Sequence, residues 1–278
     1  MNNIEVFLDT QKRITNNARL KRLTEKASSE TKIYPEGFQS GKKPFRAGNI
    51  CFQENLTLLA AAPFAKRDRR TAVLNFANPF EPGGGVLRGA NAQEEYLCRA
   101  SNLYNCLVSK NASEWYSVHK EMAGERLGSS FIGTDRIVYS SGVTVFKKDV
   151  GYLPEKECNS FQKYTFRHFR IDVITSAAPF FISKYDLLPE DELQKLFVRR
   201  ITNIIEIAVD NDVTSLILGA FGCGAFNNPP EVVAEAFRKV FSVERYRYAF
   251  DNVVFAVRRT GVNCKNIEAF KSAFSDFI

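Results

Sequence analysis

Two rhythms of apolar residues alternate along the chain. Thr71-Ala72-Val73-Leu74-Asn75-Phe76-Ala77 is a short, mostly apolar run that stops at Asn78-Pro79, which predicts a buried strand ending in a turn. From Gln93 the apolar positions Tyr96, Leu97, Ala100, Leu103, Tyr104, Leu107 and Val108 fall at three-and-four spacing, the stripe of one packed amphipathic helix. Further strands are predicted at 136–145, 170–176, 213–218 and 252–257. A long helix with the stripe Leu193, Leu196, Phe197, Ile201, Ile204, Ile205, Ala208 lies among them, and another starts at Pro229-Pro230. The stretch 49–62 reads as a strand followed by a short helix, after a turn at Tyr34-Pro35-Glu36-Gly37. Residues 11–34 are polar, with scattered apolar positions at Ile14, Leu20 and Leu23 that suit a solvated helix.

Strand and helix in this order predict an α/β fold with a parallel or mixed sheet covered by helices on both faces, and ligands at the carboxyl ends of the strands. The expected division is an N-terminal helical extension over residues 1–45 and one α/β domain over 46–278.

Two glycine loops follow predicted strands. Pro82-Gly83-Gly84-Gly85-Val86-Leu87-Arg88-Gly89-Ala90 is too rich in glycine to serve packing, and consecutive glycines let main-chain amides approach an anionic oxygen. Gly219-Ala220-Phe221-Gly222-Cys223-Gly224-Ala225-Phe226 also leaves a buried strand and precedes a helix. Two such loops at one sheet edge can hold a diphosphate. The phosphate-binding pattern G-x-x-x-x-G-K-[ST] is absent, and a dinucleotide G-x-G-x-x-G fails because Arg88 or Asn227 occupies the last glycine position.

Gln93-Glu94-Glu95 opens the helix after the first loop. Acidic residues in a first turn complement the helix dipole, which is the plain structural explanation. Beside a bound diphosphate, however, like-charge repulsion would let such a carboxyl hold a proton near neutral pH.

Gly83-Gly84-Gly85, seven intervening positions and Gln93-Glu94-Glu95 resemble the signature of the poly(ADP-ribose) glycohydrolases. The run from Leu74 through Tyr104, together with 173–179 and 216–226, resembles the microbial branch of that family, and the similarity spans roughly residues 18 to 258. The resemblance implies a macrodomain: three α/β/α layers around a mixed sheet, with the two loops enclosing the diphosphate of ADP-ribose. It implies hydrolysis of ribose–ribose O-glycosidic bonds in poly(ADP-ribose), releasing ADP-ribose. Glu95 corresponds to the catalytic acid and Glu94 to its neighbour on the ribose hydroxyls. Substrate contacts are expected from Asn78, Gly83, Gly84, Gly85, Val86, Gln93, Ala220, Phe221, Gly222, Cys223, Gly224, Ala225 and Phe226. The sequence departs from the family pattern at the rim, where Phe180 follows Ala-Ala-Pro in place of a frequent Asn and Asn227-Asn228 follow Phe226 in place of a frequent Gly. The alternatives are a hydrolase for single ADP-ribose groups and a non-catalytic ADP-ribose-binding macrodomain.

Composition narrows the partners. Thirty-eight Lys and Arg against 31 Asp and Glu give a net charge of +7 over 278 residues, which favours polyanions such as poly(ADP-ribose) or ADP-ribosylated protein. The basic residues are spread along the chain without a recognised nucleic-acid motif, so direct nucleic-acid binding is not expected. Cys51, Cys98, Cys106, Cys158, Cys223 and Cys264 form no C-x-x-C pair, and only His119 and His168 offer imidazole, so neither a metal site nor another cofactor is expected. Cys223 reads as a small packing residue within its loop. The polar start and the lack of a long apolar stretch predict a cytoplasmic protein that does not engage the membrane.

Overall fold

The computed structural model describes residues 2–65, 70–124, 129–147, 168–259 and 264–277. Its seven strands are β1 (Lys32–Tyr34), β2 (Asn49–Gln53), β3 (Thr71–Phe76), β4 (Ile137–Val145), β5 (Phe169–Ser176), β6 (Ser215–Leu218) and β7 (Asn252–Ala256). They form one sheet in the order β1-β4-β5-β3-β6-β7-β2. β5, β3, β6, β7 and β2 run parallel, while β4 pairs antiparallel with both β5 and β1. The sheet is therefore mixed, with β3 inside it and every parallel strand ending at the same edge.

Period-two alternation divides the core. Leu74, Leu216 and Phe255 face α7 (Glu190–Asp210), α8 (Pro230–Phe241) and α10 (Lys265–Ala273). Val73, Ile217 and Val254 face α3 (Thr57–Ala65), α4 (Gln93–Ala100), α5 (Leu103–Leu107) and α6 (Lys110–Ala123). Two helical layers thus sandwich the sheet, as the alternating pattern predicts. A short α9 (Glu244–Arg247) follows α8. Among the described residues no helix is long and apolar enough to cross a membrane.

Three local expectations change. The single helix predicted from Gln93 is two, because Ser101 is extended (φ −144°, ψ −177°) and bridges Val145 of β4. The Ser101 hydroxyl donates to Leu97 O at 2.7 Å and accepts from Leu103 N at 3.1 Å, so one residue closes α4 and starts α5. The N-terminal stretch is likewise two helices, α1 (Asn3–Asn16) and α2 (Ala18–Ser29), with Asn17 accepting from Leu20 N as the second N-cap. It is not solvated throughout: Ile14 and Leu20 are buried with Phe146, and Phe7 enters the core. The predicted strands each match an observed one within two residues. Cys51, Cys98, Cys106, Cys223 and Cys264 are free thiols, and Cys158 lies outside the described residues.

A buried ion cluster ties α7 to the edge where the strands end. Asp135 pairs with Arg199 and, at 2.8 Å, with fully buried Arg200. Arg200 also donates to Ala177 O at 2.7 Å, one residue past β5. Removing one partner would strand a buried cation, so Asp135→Ala is expected to lower unfolding free energy by about 3–5 kcal/mol, measured by urea denaturation.

Candidate functional site

The carboxyl ends of β3 and β6 deliver the two glycine loops to one side of the sheet, and the loops differ in their hydrogen bonding. In the first loop the amides are engaged inside the protein. Gly84 N donates to Glu81 O at 2.9 Å and Val86 N to Gly83 O at 3.3 Å. Gly85 N donates to Glu95 Oε1 at 2.8 Å, and Gly83 donates through its backbone to Glu94. In the second loop, no acceptor among the described residues meets the amides of Gly222, Gly224, Ala225 or Phe226. The second loop is therefore the one with open donors for an anion, and the first is a mount for two carboxylates.

Glu94 and Glu95, 2 % and 6 % exposed, start α4. Glu95 Oε2 accepts from Ala92 N at 3.0 Å, which is the helix-start role. Its other oxygen accepts from Gly85, which joins the helix to the loop. Glu94 Oε2 accepts from Asn78 N at 2.8 Å and its Oε1 from Asn75 Nδ2 at 3.1 Å. Both carboxylates converge on Gly84. A methyl group there would overlap Glu95 Oε1 and lie 3.1 Å from Glu94 Oε2, and the backbone is left-handed at φ +60°. Gly84 is therefore bare for two independent reasons. In the second loop Gly222 is similarly constrained, at φ +76°, with Asn228 Nδ2 and Ala178 Cβ filling the space a side chain would take.

Burial pushes the Glu94 carboxyl up to about 8; the bonds from Asn78 and Asn75 oppose this, and the charge of Glu95 adds to it. Near neutral pH the protonated form of Glu94 is thus favoured. Burial also pushes the Cys223 thiol up, which keeps it from acting as a thiolate nucleophile.

A cavity of about 310 Å³ lies between the second loop and Asn91, Ala92 and Gln93, which follow the first; Asn78, Gly83, Gly84, Gly85, Val86, Glu94, Glu95 and Cys223 are not in its lining. Gln93 lines it from α4, and Ala220, Phe221, Gly222, Gly224, Ala225 and Phe226 line it from the second loop. Its far end is built by Asn55, Leu56 and Thr57 beyond β2, by Val257 and Arg258 just after β7 and by Asn266 of α10. Gln93 is also a stitch: it accepts from Phe76 N at 3.0 Å and donates to Leu74 O at 2.7 Å. The side-chain Oδ1 of Asn78 accepts from Phe80 N and Glu81 N, shaping the approach to the first loop.

Several participants carry no sequence signal strong enough to single them out. Asn75 lies in a buried strand and orients Glu94. Arg99, also buried, holds Ala90 O and Asn91 Oδ1 at 2.7 Å each and so fixes the wall before Glu95. The Asn55 and Arg258 ends follow strands, so the carboxyl-end rule would have pointed to them once the strands were paired.

The profile of the family "Microbial-type PARG, catalytic domain" matches residues 6–148. Among solved structures, the poly(ADP-ribose) glycohydrolase of Thermomonospora curvata is 29% identical with a TM-score of 0.79, covering 98% of this chain and 99% of that one. The same enzyme bound to the inhibitor ADP-HPD is 28% identical at TM-score 0.77, covering 98% and 99%. The poly(ADP-ribose) glycohydrolase of Deinococcus radiodurans in complex with ADP-ribose is 29% identical at TM-score 0.74, covering 92% and 98%. No curated protein sequence matches significantly.

The titration of Glu94 sets the sign of a stability effect. Its folded value of about 8 lies above the ordinary 4.5, so between these limits the folded protein retains a proton that the unfolded chain has released. Stability from this group is complete below about pH 4.5 and declines as the pH rises to about 8. Glu94→Gln should flatten this decline in urea midpoints measured across that range.

Proposed function

Since the chain belongs to the microbial-type PARG catalytic-domain family, it is a poly(ADP-ribose) glycohydrolase, and we propose that Glu95 is the acid/base that cuts its ribose–ribose bond. The observation that carries this reading is a nearly buried carboxylate, gripped by Gly85 and Ala92, in the helix turn whose residues Ala92 and Gln93 line a cavity facing a loop with open amides.

In this mechanism the diphosphate of a terminal ADP-ribose unit sits on the amides of Gly222, Gly224, Ala225 and Phe226. The nucleoside end occupies the cavity toward Asn55 and Arg258. Glu95 enters the reaction carrying the proton it transfers. Glu95 then donates that proton to the leaving oxygen as the ribose acquires oxocarbenium character, which the held diphosphate stabilises electrostatically. Ionised Glu95 takes a proton from water attacking the anomeric carbon, and ADP-ribose leaves. Glu94, neutral and turned toward Asn75 and Asn78, keeps a second charge away from the anionic substrate and braces the loop that carries Gly84. The remaining first-loop residues, Gly83 to Val86, act by shape and by holding the carboxylates, while Asn78 and Gln93 fix the strand-to-helix passage.

The layered arrangement around one mixed sheet supports describing the domain as a macrodomain. Poly(ADP-ribose) and ADP-ribosylated protein as partners, and a cytoplasmic site of action, belong to the same proposal.

Two measurements test the site. Glu95→Gln cannot cycle a proton, so kcat on poly(ADP-ribose) should fall about 10²–10⁴-fold while ADP-ribose still binds in calorimetry. The amide also turns a donor toward one of the two main-chain N–H groups, so some loss of stability accompanies the change. Near wild-type turnover would refute the assignment. Gly84→Ala leaves every ionisable group in place but displaces Glu95, and kcat should fall on the order of a hundredfold. If Gly84→Ala retained full activity, the grip of the first loop on Glu95 would be irrelevant to catalysis.

A further inference from the structure

In the reading given above, the cavity of about 310 Å³ takes up one ADP-ribose unit, and the unit on the other side of the scissile bond continues onto the protein surface. Four half-buried phenylalanines border that surface. Phe80 follows Asn78, whose amide holds Glu94, and its ring is 5.0 Å from that of Phe131. Phe131 and Phe180 are joined by an isolated antiparallel bridge, with N–H···O bonds of 2.7 and 2.8 Å in both directions. Directly opposed residues of such a pair project to the same side. Phe180 in turn meets Phe226, at the cavity wall, with ring centroids 5.4 Å apart.

The row runs from the carboxylate mount to the open-amide loop, and its backing is rigid. The His119 ring stands 5.9 Å behind Phe131. On the other side Asn227 Nδ2 donates to Phe181 O and Asn228 Nδ2 to Pro179 O, both at 2.7 Å, so the residues flanking Phe180 are stapled to the second loop. Four partly exposed aromatic rings fixed in this way, with no described charged side chain in their ring contacts, suit a flat apolar ligand with a π face. The adjoining unit of the substrate offers one such group, its adenine.

We propose that Phe80, Phe131 and Phe180, continued inward by Phe226, form a stacking platform for the adenine of the polymer unit on the leaving side of the scissile bond. This rests on the assignment of the bond-cleaving site given above. Phe180 and Phe131 are then specificity-determining residues that favour chains over single ADP-ribose groups, without taking part in bond cleavage. The platform also gives the rim residues Phe180, Asn227 and Asn228 a common purpose: the two asparagines hold the strip on which Phe180 stands.

The test uses the full chain carrying Glu95→Gln, so that a two-unit ADP-ribose fragment survives the titration. That fragment should bind about tenfold more tightly than ADP-ribose, as expected for one stacked base. Adding Phe180→Ala should erase the difference and leave ADP-ribose affinity unchanged, while Phe180→Tyr should restore it. Phe131→Leu provides a second variant should Phe180→Ala perturb folding. In the chain with Glu95 intact, Phe180→Ala should raise KM for polymer about tenfold with little change in kcat. Equal affinity of the two ligands for the parent, or indifference of the fragment to loss of both rings, would overturn the platform. Failure of ADP-ribose itself to bind would strike instead at the underlying site assignment, and the platform would fall with it.

Discussion

The site depends on one carboxylate being held by two main-chain amides that belong to different segments. Glu95 accepts from Gly85 in a loop and from Ala92 at a helix start, so the loop and the helix cannot shift independently. Charge-assisted bonds of this kind are stronger than neutral ones, and at a side chain this deeply buried little water competes for them. The price is an approach so close that Gly84 can carry no side chain. The same packing buries Glu94, and because burial leaves that group neutral near pH 7, the two acids can sit together without mutual repulsion driving them apart.

The glycine loops divide the labour. A loop whose amides satisfy internal acceptors is a rigid part of the protein, and a loop whose amides face open space is a receptor for something else. From the amino-acid sequence both read alike, as glycine-rich turns after strands. The distinction arises from what each loop packs against: α4 supplies two carboxylates to the first, while the second is held from behind by Asn228 and Ala178 and left open in front.

Much of this arrangement was nevertheless legible. The strand ending at Phe76, the triplet Gly83-Gly84-Gly85 and the acidic pair are close in the chain, and local spacing is what sequence patterns record. The break at Ser101 was hidden because the apolar stripe continues through it; only contact with β4 makes the extended conformation worthwhile. The burial of α1 and α2 was hidden by their polar outer faces. They do more than decorate the domain, since Asn3 donates to Gly89 O, Thr10 donates to Arg99 O, and Lys147 reaches back to Val6 O and Asp9. The first helix thereby clasps the segment that carries the acid. The Asn55 and Arg258 end of the cavity leaves no local pattern for a different reason, because its two sides come from remote parts of the chain.

That remoteness bears on how the protein is made. Among the described residues, strand β2 sits at an edge of the sheet and pairs with β7 alone, Asn49 lying opposite Asn252. During synthesis the early strand therefore waits for the much later β7 to emerge before this pairing can form, and such long-range closure is slow. The carboxylate mount, assembled from neighbouring segments, can be in place well before the Asn55 and Arg258 end of the cavity exists.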